Sequence, residues 1–403
     1  MKIQFKKYSF FICYLICLLG TIKSNDIFGQ KGNFNFQNIN TEHGLSENTV
    51  LDIIEDTYGY IWFATENGLT KFDGINCTVY RNNHDDINSL TGDEIQSLCI
   101  NGDELLIATI NPTTISAFNL KTKKFRAILR YNELEVDEYA YFLNNESYTL
   151  LITHRDTYIY DQEKKKFEIF SALKDQIDKV QKKYNSGKSQ LNSENFLEKY
   201  YLDKNNKLIA YCLNVGIFEI SLPKLTYKEL INNQDFKKLY GDINLDKFST
   251  AYIFRDEEQR IWFNIKDHTL GYFNQNNNTF QTKYANAYIK DIFEDPDSNI
   301  WIGSETGLLF YEADEDSLYN IYHKPTDKHS LSNNYISSVY ISKDKMLWVG
   351  HDAGGVDYAK YFNISRFQHI SVQSSNSLLS DKITGICESK NENEVWISST
   401  GGI

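Results

Sequence analysis

Apolar residues recur along this chain in short runs that are separated by glycine-containing turns, and residues 44–80 show the pattern most clearly. Residues 50–54 alternate as a half-buried strand does, and residues 60–65 form a nearly continuous apolar run, as expected for a strand covered on both faces. Two further short runs follow at residues 69–72 and 77–80. This pattern predicts four antiparallel strands, a unit too small to bury both of its faces alone.

The same unit recurs along the chain. Tryptophans from Trp262 onward are spaced 39, 47 and 48 residues apart, which is close to the period of one four-stranded propeller blade. We therefore predict an all-β chain, a seven-bladed β-propeller of four-stranded antiparallel blades followed by the start of a second propeller. All five tryptophans occupy one point of the repeat and are predicted to form its structural core: Trp62, Trp262, Trp301, Trp348 and Trp396.

The motifs of this repeat resemble those of a known family. The pattern GLS-x-N-x-V, then I-x-x-D-x-x-G, then W-x-x-T-x-x-G-L and F-D-G is similar to the two-component regulator propeller repeat. The resemblance implies that this chain is the periplasmic sensor region of a hybrid two-component histidine kinase. This region is expected to recognise an oligosaccharide and not to act as an enzyme itself. The resemblance further implies a second propeller, a membrane helix and a kinase, none of which is complete in this chain, and a homodimer of the full-length protein.

The domain boundaries follow from composition and periodicity. Residues 1–30 have three lysines before an apolar run at residues 10–19 and are predicted to be a signal peptide, with an uncleaved anchor as the alternative. Residues 33–375 are predicted to form the propeller, and the strand-like start of this range is expected to close the ring. Residues 376–403 are predicted to be the first, truncated blade of a second propeller, in a fragment or a truncated product.

One segment interrupts the repeat between the third and fourth blades. Residues 173–198 are polar and rich in Lys, Asn and Gln, so we interpret them as an insertion, with a short helix possible at residues 174–183.

The composition of the chain limits the classes of ligand that it is expected to bind. The net charge of −12 argues against nucleic-acid binding and is compatible with neutral or cationic ligands. The four cysteines after the signal segment lie in separate strand-like runs and are expected to be free thiols. An acidic stretch at residues 294–299 resembles a Ca²⁺ loop only faintly and is interpreted as a turn, and neither a metal nor a cofactor is expected.

The candidate ligand-binding residues lie in loops that recur at one end of every blade, where a propeller brings them towards its axis. Their amides and carboxylates suit sugar hydroxyl groups, although Asn and Ser in such turns often bind backbone instead. The candidates are Glu47, Asn48, Glu66, Asn67, Glu305, Thr306, Asn333, Asn334, His351 and Asp352.

Two other function classes stay open at this point, because fold alone does not decide function. A secreted propeller lyase or glycosidase is one, and the spacing of Glu66, Glu305 and Asp352 in space would decide whether two carboxylates can cooperate. A propeller that serves as an interaction scaffold is the other. No His pairs with a Ser or Cys in a hydrolase motif, so a nucleophilic triad and hence a catalytic residue are not expected.

Overall fold

A computed structural model of the chain describes residues 34–129, 140–153, 156–185, 197–212, 216–232, 252–265, 269–283, 288–360, 380, 382–388 and 395–400. The chain divides into two compact units, Met1–Lys360 and Tyr361–Ile403. The predicted signal peptide lies outside the described residues. The predicted boundaries at residues 33 and 375 also lie outside them and stay predictions.

The first unit is a propeller of seven four-stranded antiparallel sheets, which confirms the predicted architecture. Blade 1 contains β2 (Val50–Glu55), β3 (Ile61–Thr65), β4 (Gly68–Phe72) and β5 (Cys77–Tyr80). Blade 2 contains β6 (Ile95–Asn101), β7 (Glu104–Thr109), β8 (Thr114–Asn119) and β9 (Lys124–Leu129). Blade 3 contains β10 (Ala140–Asn144), β11 (Thr149–Thr153), β12 (Thr157–Asp161) and β13 (Lys166–Ile169).

The next three blades repeat the arrangement. Blade 4 contains β14 (Leu197–Leu202), β15 (Lys207–Cys212), β16 (Gly216–Ser221) and β17 (Thr226–Asn232). Blade 5 contains β18 (Ile253–Arg255), β19 (Arg260–Ile265), β20 (Thr269–Asn274) and β21 (Thr279–Lys283). Blade 6 contains β22 (Ile289–Glu294), β23 (Ile300–Ser304), β24 (Gly307–Glu312) and β25 (Ser317–Ile321).

Blade 7 takes its outer strand from the start of the chain. It contains β26 (Ile336–Ile341), β27 (Met346–His351) and β28 (Val356–Lys360), and β1 (Gln37–Ile39) pairs antiparallel with β28. The Asn38 side chain also donates hydrogen bonds to the Gly354 carbonyl and to Asp357 Oδ1, both at 2.9 Å. The predicted closing strand is therefore confirmed, and it covers the edge that β28 would otherwise expose.

A buried aspartate anchors the core tryptophan in three blades. The turn between the first two strands carries an Asp six residues before the Trp, and the indole Nε1 donates to its carboxylate at 2.7–3.0 Å. The pairs are Trp62 with Asp56, Trp262 with Asp256, and Trp301 with Asp295. In blade 7 the hydroxyl of Ser342 accepts from Trp348 instead, at 3.2 Å.

The same carboxylates hold the turn. Asp295 accepts hydrogen bonds from the backbone N–H groups of Asp297 and Asn299, both at 2.9 Å, so the acidic stretch at residues 294–299 is the expected turn. Each such Asp thus accepts hydrogen bonds from both the turn backbone and the indole, and these bonds compensate for the loss of water around the buried carboxylate.

The segment after blade 3 is more ordered than its polar composition suggested. Helix α1 (Ser171–Asn185) buries Leu173, Ile177 and Val180, which are spaced along one helical stripe. Leu173 and Ile177 join an apolar cluster with residues of blades 3 and 4. The predicted insertion therefore contributes to the core, and β14 begins inside its predicted range. Across the described residues, every helix is too short or too polar to be a candidate membrane span.

The second unit contains one described hairpin, formed by β29 (Ile383–Glu388) and β30 (Val395–Ser399). Its tryptophan differs from the others. Trp62, Trp262, Trp301 and Trp348 are buried, whereas 58% of the Trp396 surface is exposed. The assignment of Trp396 to a core is therefore wrong for this chain, because a two-stranded hairpin supplies too little apolar surface to cover an indole.

This contrast gives a stability prediction with an internal control. Trp301→Ala should lower the free energy of unfolding by about 3–5 kcal/mol, since it removes a buried indole and leaves a cavity. Trp396→Ala removes the same side chain from an exposed position and should change it by less than about 0.5 kcal/mol. Chemical denaturation measures both. Equal effects of the two substitutions would contradict the assignment of Trp301 to the core.

Candidate functional site

Neighbouring blades meet through their first strands, which surround the propeller axis: β2 contacts β6 and β26, β6 contacts β10, and β22 contacts β26. Each of these strands except β10 is interrupted by a register shift near its start, as expected for a β-bulge. The shifts fall at Val50/Asp52, Ile95/Ser97, Ile289/Asp291 and Ile336/Ser338.

The residue after the bulge links one blade to the next. Its side chain accepts a hydrogen bond from a backbone N–H in the first strand of the following blade. We call these contacts the inner-strand clamps: Leu98 N to Asp52 Oδ2 at 2.7 Å, Phe142 N to Ser97 Oγ at 3.2 Å, and Val339 N to Asp291 Oδ2 at 2.8 Å.

The clamp carboxylates are poorly solvated. Burial raises the pKa of Asp52 to about 7, against the lowering effect of the hydrogen bond from Leu98, and the charge of Asp291 raises it further. Burial likewise raises the pKa of Asp291 to about 6, although the N–H groups of Val339 and Ile292 stabilise the anion. These groups therefore change charge near neutral pH.

The loops next to the clamps form one mouth of the central channel. In four blades, the residue after the second strand donates its N–H to the carbonyl of the residue before the first strand. These pairs are Glu66 to Thr49 at 3.4 Å, Ile110 to Glu94 at 2.9 Å, Glu305 to Tyr288 at 3.1 Å and Asp352 to Tyr335 at 3.1 Å. The channel mouth is defined here as Glu47, Glu66, Glu94, Tyr288, Glu305, Tyr335 and Asp352.

Carboxylates gather on one side of the mouth. Partial burial raises the pKa of Glu66, and the charges of Asp352, Glu94 and Glu47 raise it further. Blades 7, 1 and 2, which contribute these four residues, are consecutive around the ring. The mouth is therefore acidic, and it suits hydroxyl or amine donors better than anions.

Two tyrosines stand beside these carboxylates. Tyr288 and Tyr335 expose 41% and 42% of their surfaces, and both precede the first strand of their blades. A hydrogen bond to Glu305 raises the pKa of Tyr335, and Lys290 Nζ lies 3.0 Å from Glu305 Oε1. The mouth thus combines exposed aromatic rings with hydrogen-bonding groups that are already oriented.

The predicted loop amides mainly hold backbone. Asn48 Oδ1 accepts from Thr41 N at 3.0 Å, Asn333 Oδ1 from Tyr335 N at 3.0 Å, and Asn334 Oδ1 from His323 N at 2.7 Å. The carboxylate of Glu47 similarly accepts from the N–H of Asn48 at 2.7 Å. These side chains shape the loops around the mouth, as turn residues do.

The remaining predicted residues divide into two groups. Asn67 and Thr306 are exposed, and their N–H groups donate to Thr65 Oγ1 at 3.1 Å and Ser304 Oγ at 3.2 Å. His351 is fully buried, with its Nε2 2.8 Å from Asp357 Oδ2. The prediction of His351 as a ligand residue is therefore wrong in this structure, because its ring is inaccessible and bound to a buried carboxylate.

The hydrogen bond and charge of His351 also act on its partner. Burial raises the pKa of Asp357, but His351 and the donors of Ser332 outweigh burial and hold that pKa below its usual range. Since Asp357 also binds Asn38 of β1, His351 supports the closure of the ring.

Sequence analysis missed Glu94, Tyr288 and Tyr335 as mouth residues. The motif-based prediction followed the loop after the second strand and the Asn-rich loop, and did not consider the position immediately before the first strand. That position can be found in the sequence, two residues before the bulge, once the bulge is known. Among the described residues, no group of His, Cys, Asp and Glu side chains is arranged to hold a metal ion.

Comparisons with known proteins agree with this architecture. The sequence model for the two component regulator propeller matches residues 44–67 and 283–306, and each match includes the first two strands of a blade. A segment of 62 residues is 42% identical to histidine kinase P4 of Formosa agariphila, covering 15% of this chain and 4% of that kinase.

Solved structures share the fold. The extracellular domain assigned to a hybrid two-component system of B. thetaiotaomicron superposes with a TM-score of 0.61 and 22% identity, over 92% of this chain and 47% of that one. Streptogramin B lyase superposes with a TM-score of 0.55 and 12% identity, over 81% of this chain and 97% of the lyase. This chain therefore spans about half the length of the sensor domain it resembles.

The seven sheets and the loop arrangement that recurs around the mouth define this protein as a seven-bladed propeller built from repeats. Within that class, two stretches of the chain, residues 44–67 and 283–306, match the two-component regulator propeller repeat.

Proposed function

We propose that this chain is the extracytoplasmic ligand-sensing region of a hybrid two-component regulator, and that it binds a neutral oligosaccharide at the channel mouth. The observation that carries the ligand class is the pair of exposed tyrosines, Tyr288 and Tyr335, beside the carboxylates of Glu305 and Asp352. Sugar rings offer apolar C–H faces to aromatic rings and hydroxyl donors to carboxylates, so both halves of this surface match a glycan.

Signalling is part of the same proposal. The family repeats and the similarity to a histidine kinase support an output through a kinase that lies elsewhere in the protein, together with a membrane helix and a homodimer. On this proposal the chain binds its ligand without transforming it.

We also propose that β29–β30 is the first half of a blade in a second propeller. The hairpin has a register shift at Ile383/Gly385, where blades 1, 2, 6 and 7 have theirs. Thr400 N also donates to the Lys382 carbonyl at 3.0 Å, which is the bond found at the channel mouth. Two added strands would give Trp396 the cover that it lacks in the hairpin.

Ligand binding is tested by titrating the purified chain with neutral linear oligosaccharides of glucan, xylan, mannan and arabinan. We expect one series to bind and Tyr335→Ala to weaken that binding about tenfold, equivalent to about 1.4 kcal/mol. Tyr322→Ala is the matched control, because Tyr322 is 43% exposed but follows the outer strand of blade 6. The proposed site is wrong if no series binds or if both variants bind like the parent. Cleaved or eliminated sugar in the same mixtures would favour the enzyme alternative.

Export is tested separately, by fusing residues 1–40 to a reporter that is active only in the periplasm. The lysines and apolar run of residues 1–30 support export, so we expect reporter activity, and deletion of residues 10–19 should abolish it. Retention of the intact fusion in the cytoplasm would remove the extracytoplasmic part of the proposal.

A further inference from the structure

A groove of about 510 Å³ lies between blades 1 and 2, at the end of the blades opposite the channel mouth. One wall is the turn between β2 and β3, another is formed by β4 and β5, and the third is the turn after β8. The groove opens to solvent, and its volume falls within the range typical of small-ligand sites. Nothing in the proposed function requires it.

Blade 1 departs from its own repeat at the groove. In blades 5, 6 and 7 the residue paired directly with the tryptophan is aromatic, and its ring lies 4.3–5.0 Å from the indole. These residues are Tyr272, Phe310 and Tyr358. In blade 1 the residue paired with Trp62 is Lys71, and the rings nearest this indole belong instead to Tyr80, at 5.7 Å, and to Phe118 of blade 2, at 5.3 Å.

Three lysine side chains line the groove. Lys71, Lys121 and Lys123 all line it, on a chain whose net charge is −12. Lys71 Nζ lies 3.5 Å from the centre of the Tyr60 ring, and Lys121 pairs with the exposed Asp103 at 2.6 Å. A cation placed over a ring in this way stays available to an anion on its other side.

One carboxylate, that of Asp56, occurs among the lining residues that the structure describes, and it already accepts hydrogen bonds from the protein. Asp56 is buried, and its oxygens accept hydrogen bonds from Tyr58 N at 2.8 Å, Tyr60 N at 3.1 Å and Trp62 Nε1 at 2.8 Å. Three N–H donors compensate its charge locally, so it does not neutralise the lysines. Because Lys121 is paired with Asp103, Lys71 and Lys123 supply the positive charge that the groove presents to a ligand.

One aromatic residue of the groove, Tyr58, is also specific to blade 1. Tyr58 lies two residues after the buried turn aspartate, where the equivalent turns carry Glu258, Asp297 and Asp344. The turn therefore folds without a tyrosine at this position. Tyr58 nevertheless lines the groove and exposes 53% of its surface, so its ring is accessible to a ligand.

From these features we infer a second binding site, in which the groove holds an anionic saccharide unit. Lys71 and Lys123 bind its carboxylate or sulfate group, and the Tyr58 ring packs against the C–H face of the sugar. Ammonium groups pair with either anion, and an exposed ring beside them selects a cyclic ligand over a free inorganic ion. This site is separate from the acidic channel mouth, which disfavours such a ligand.

Calorimetric titration of the whole chain tests the inference with trigalacturonic acid as the carboxylate probe and a κ-carrageenan tetrasaccharide as the sulfate probe. We expect at least one probe to bind, with affinity that falls between 50 and 300 mM NaCl as ion pairing requires. The probe that binds identifies the anion. Cellotetraose, which carries no charge, should not bind in the groove.

Variants locate the binding. Lys71→Gln and Tyr58→Ala should each weaken the bound anionic probe about tenfold, since each removes one proposed contact. Lys224→Gln is the control, because Lys224 is exposed in the turn between the third and fourth strands of blade 4, which corresponds to the turn of blade 2 that carries Lys123. Tyr335→Ala at the channel mouth should also leave this binding unchanged, which separates it from the proposed oligosaccharide site.

Two results would overturn the inference: no binding of either anionic probe, or equal binding by the parent, Lys71→Gln and Tyr58→Ala. Thermal unfolding checks that each variant folds. If Lys71→Gln does not fold, Lys123→Asn replaces it, because Lys123 has a φ of 58° in an exposed turn and Asn tolerates that conformation. Its binding of the anionic probes is then judged by the same criterion.

Discussion

Contact between neighbouring first strands is the constraint on which this structure depends. A four-stranded blade has two apolar faces and cannot cover either alone, so each blade is stable only against its neighbours. Three inner-strand clamps reinforce this packing, because the side chain after the bulge in blades 1, 2 and 6 accepts a hydrogen bond from the backbone of the next blade. Ring closure by β1 and the pairing of Asn38 with Asp357 apply the same requirement to the last blade.

The clamps also explain why several blades contribute side chains to the channel mouth. The bulge lies two residues from the loop that carries Glu94, Tyr288 or Tyr335, and the clamp ties that strand to the adjacent blade. Side chains contributed by different blades are thereby held at one opening. At the groove between blades 1 and 2, Lys71 stands where blades 5, 6 and 7 place an aromatic ring. The channel mouth is thus formed by equivalent loops of several blades, whereas the groove contains residues that are specific to blade 1.

Much of the fold was predictable from the spacing of tryptophans and turns, because an Asp six residues before a Trp marks the same hairpin in several blades. The blades that carry a tryptophan followed from that spacing, whereas blades 2, 3 and 4 and the closing strand followed from the alternation of apolar and polar residues. Features that depend on tertiary contacts did not: the apolar stripe of helix α1 lies within a polar segment, and His351 gave no sign of its buried partner. Tyr288 and Tyr335 were missed because a residue before a strand has no motif of its own until the bulge locates it. Trp396 shows the converse, since its motif is intact but the strands that would bury it are absent from its hairpin.

The central claim, that inner-strand side chains clamp one blade to the next, is tested most directly at Asp52. The free energy of unfolding should be measured for the parent, Asp52→Ser and Asp52→Ala at pH 5 and pH 8. Serine can accept the Leu98 N–H as Ser97 accepts Phe142, whereas alanine leaves that donor unpaired, so Asp52→Ala should be about 1–3 kcal/mol less stable than Asp52→Ser at both pH values. The folded pKa of Asp52, about 7, lies above its ordinary value of 3.8, so the parent should lose stability relative to Asp52→Ser as the pH rises from 5 to 8. Equal stability of the two variants, with a parent that follows the same pH dependence, would contradict the clamp.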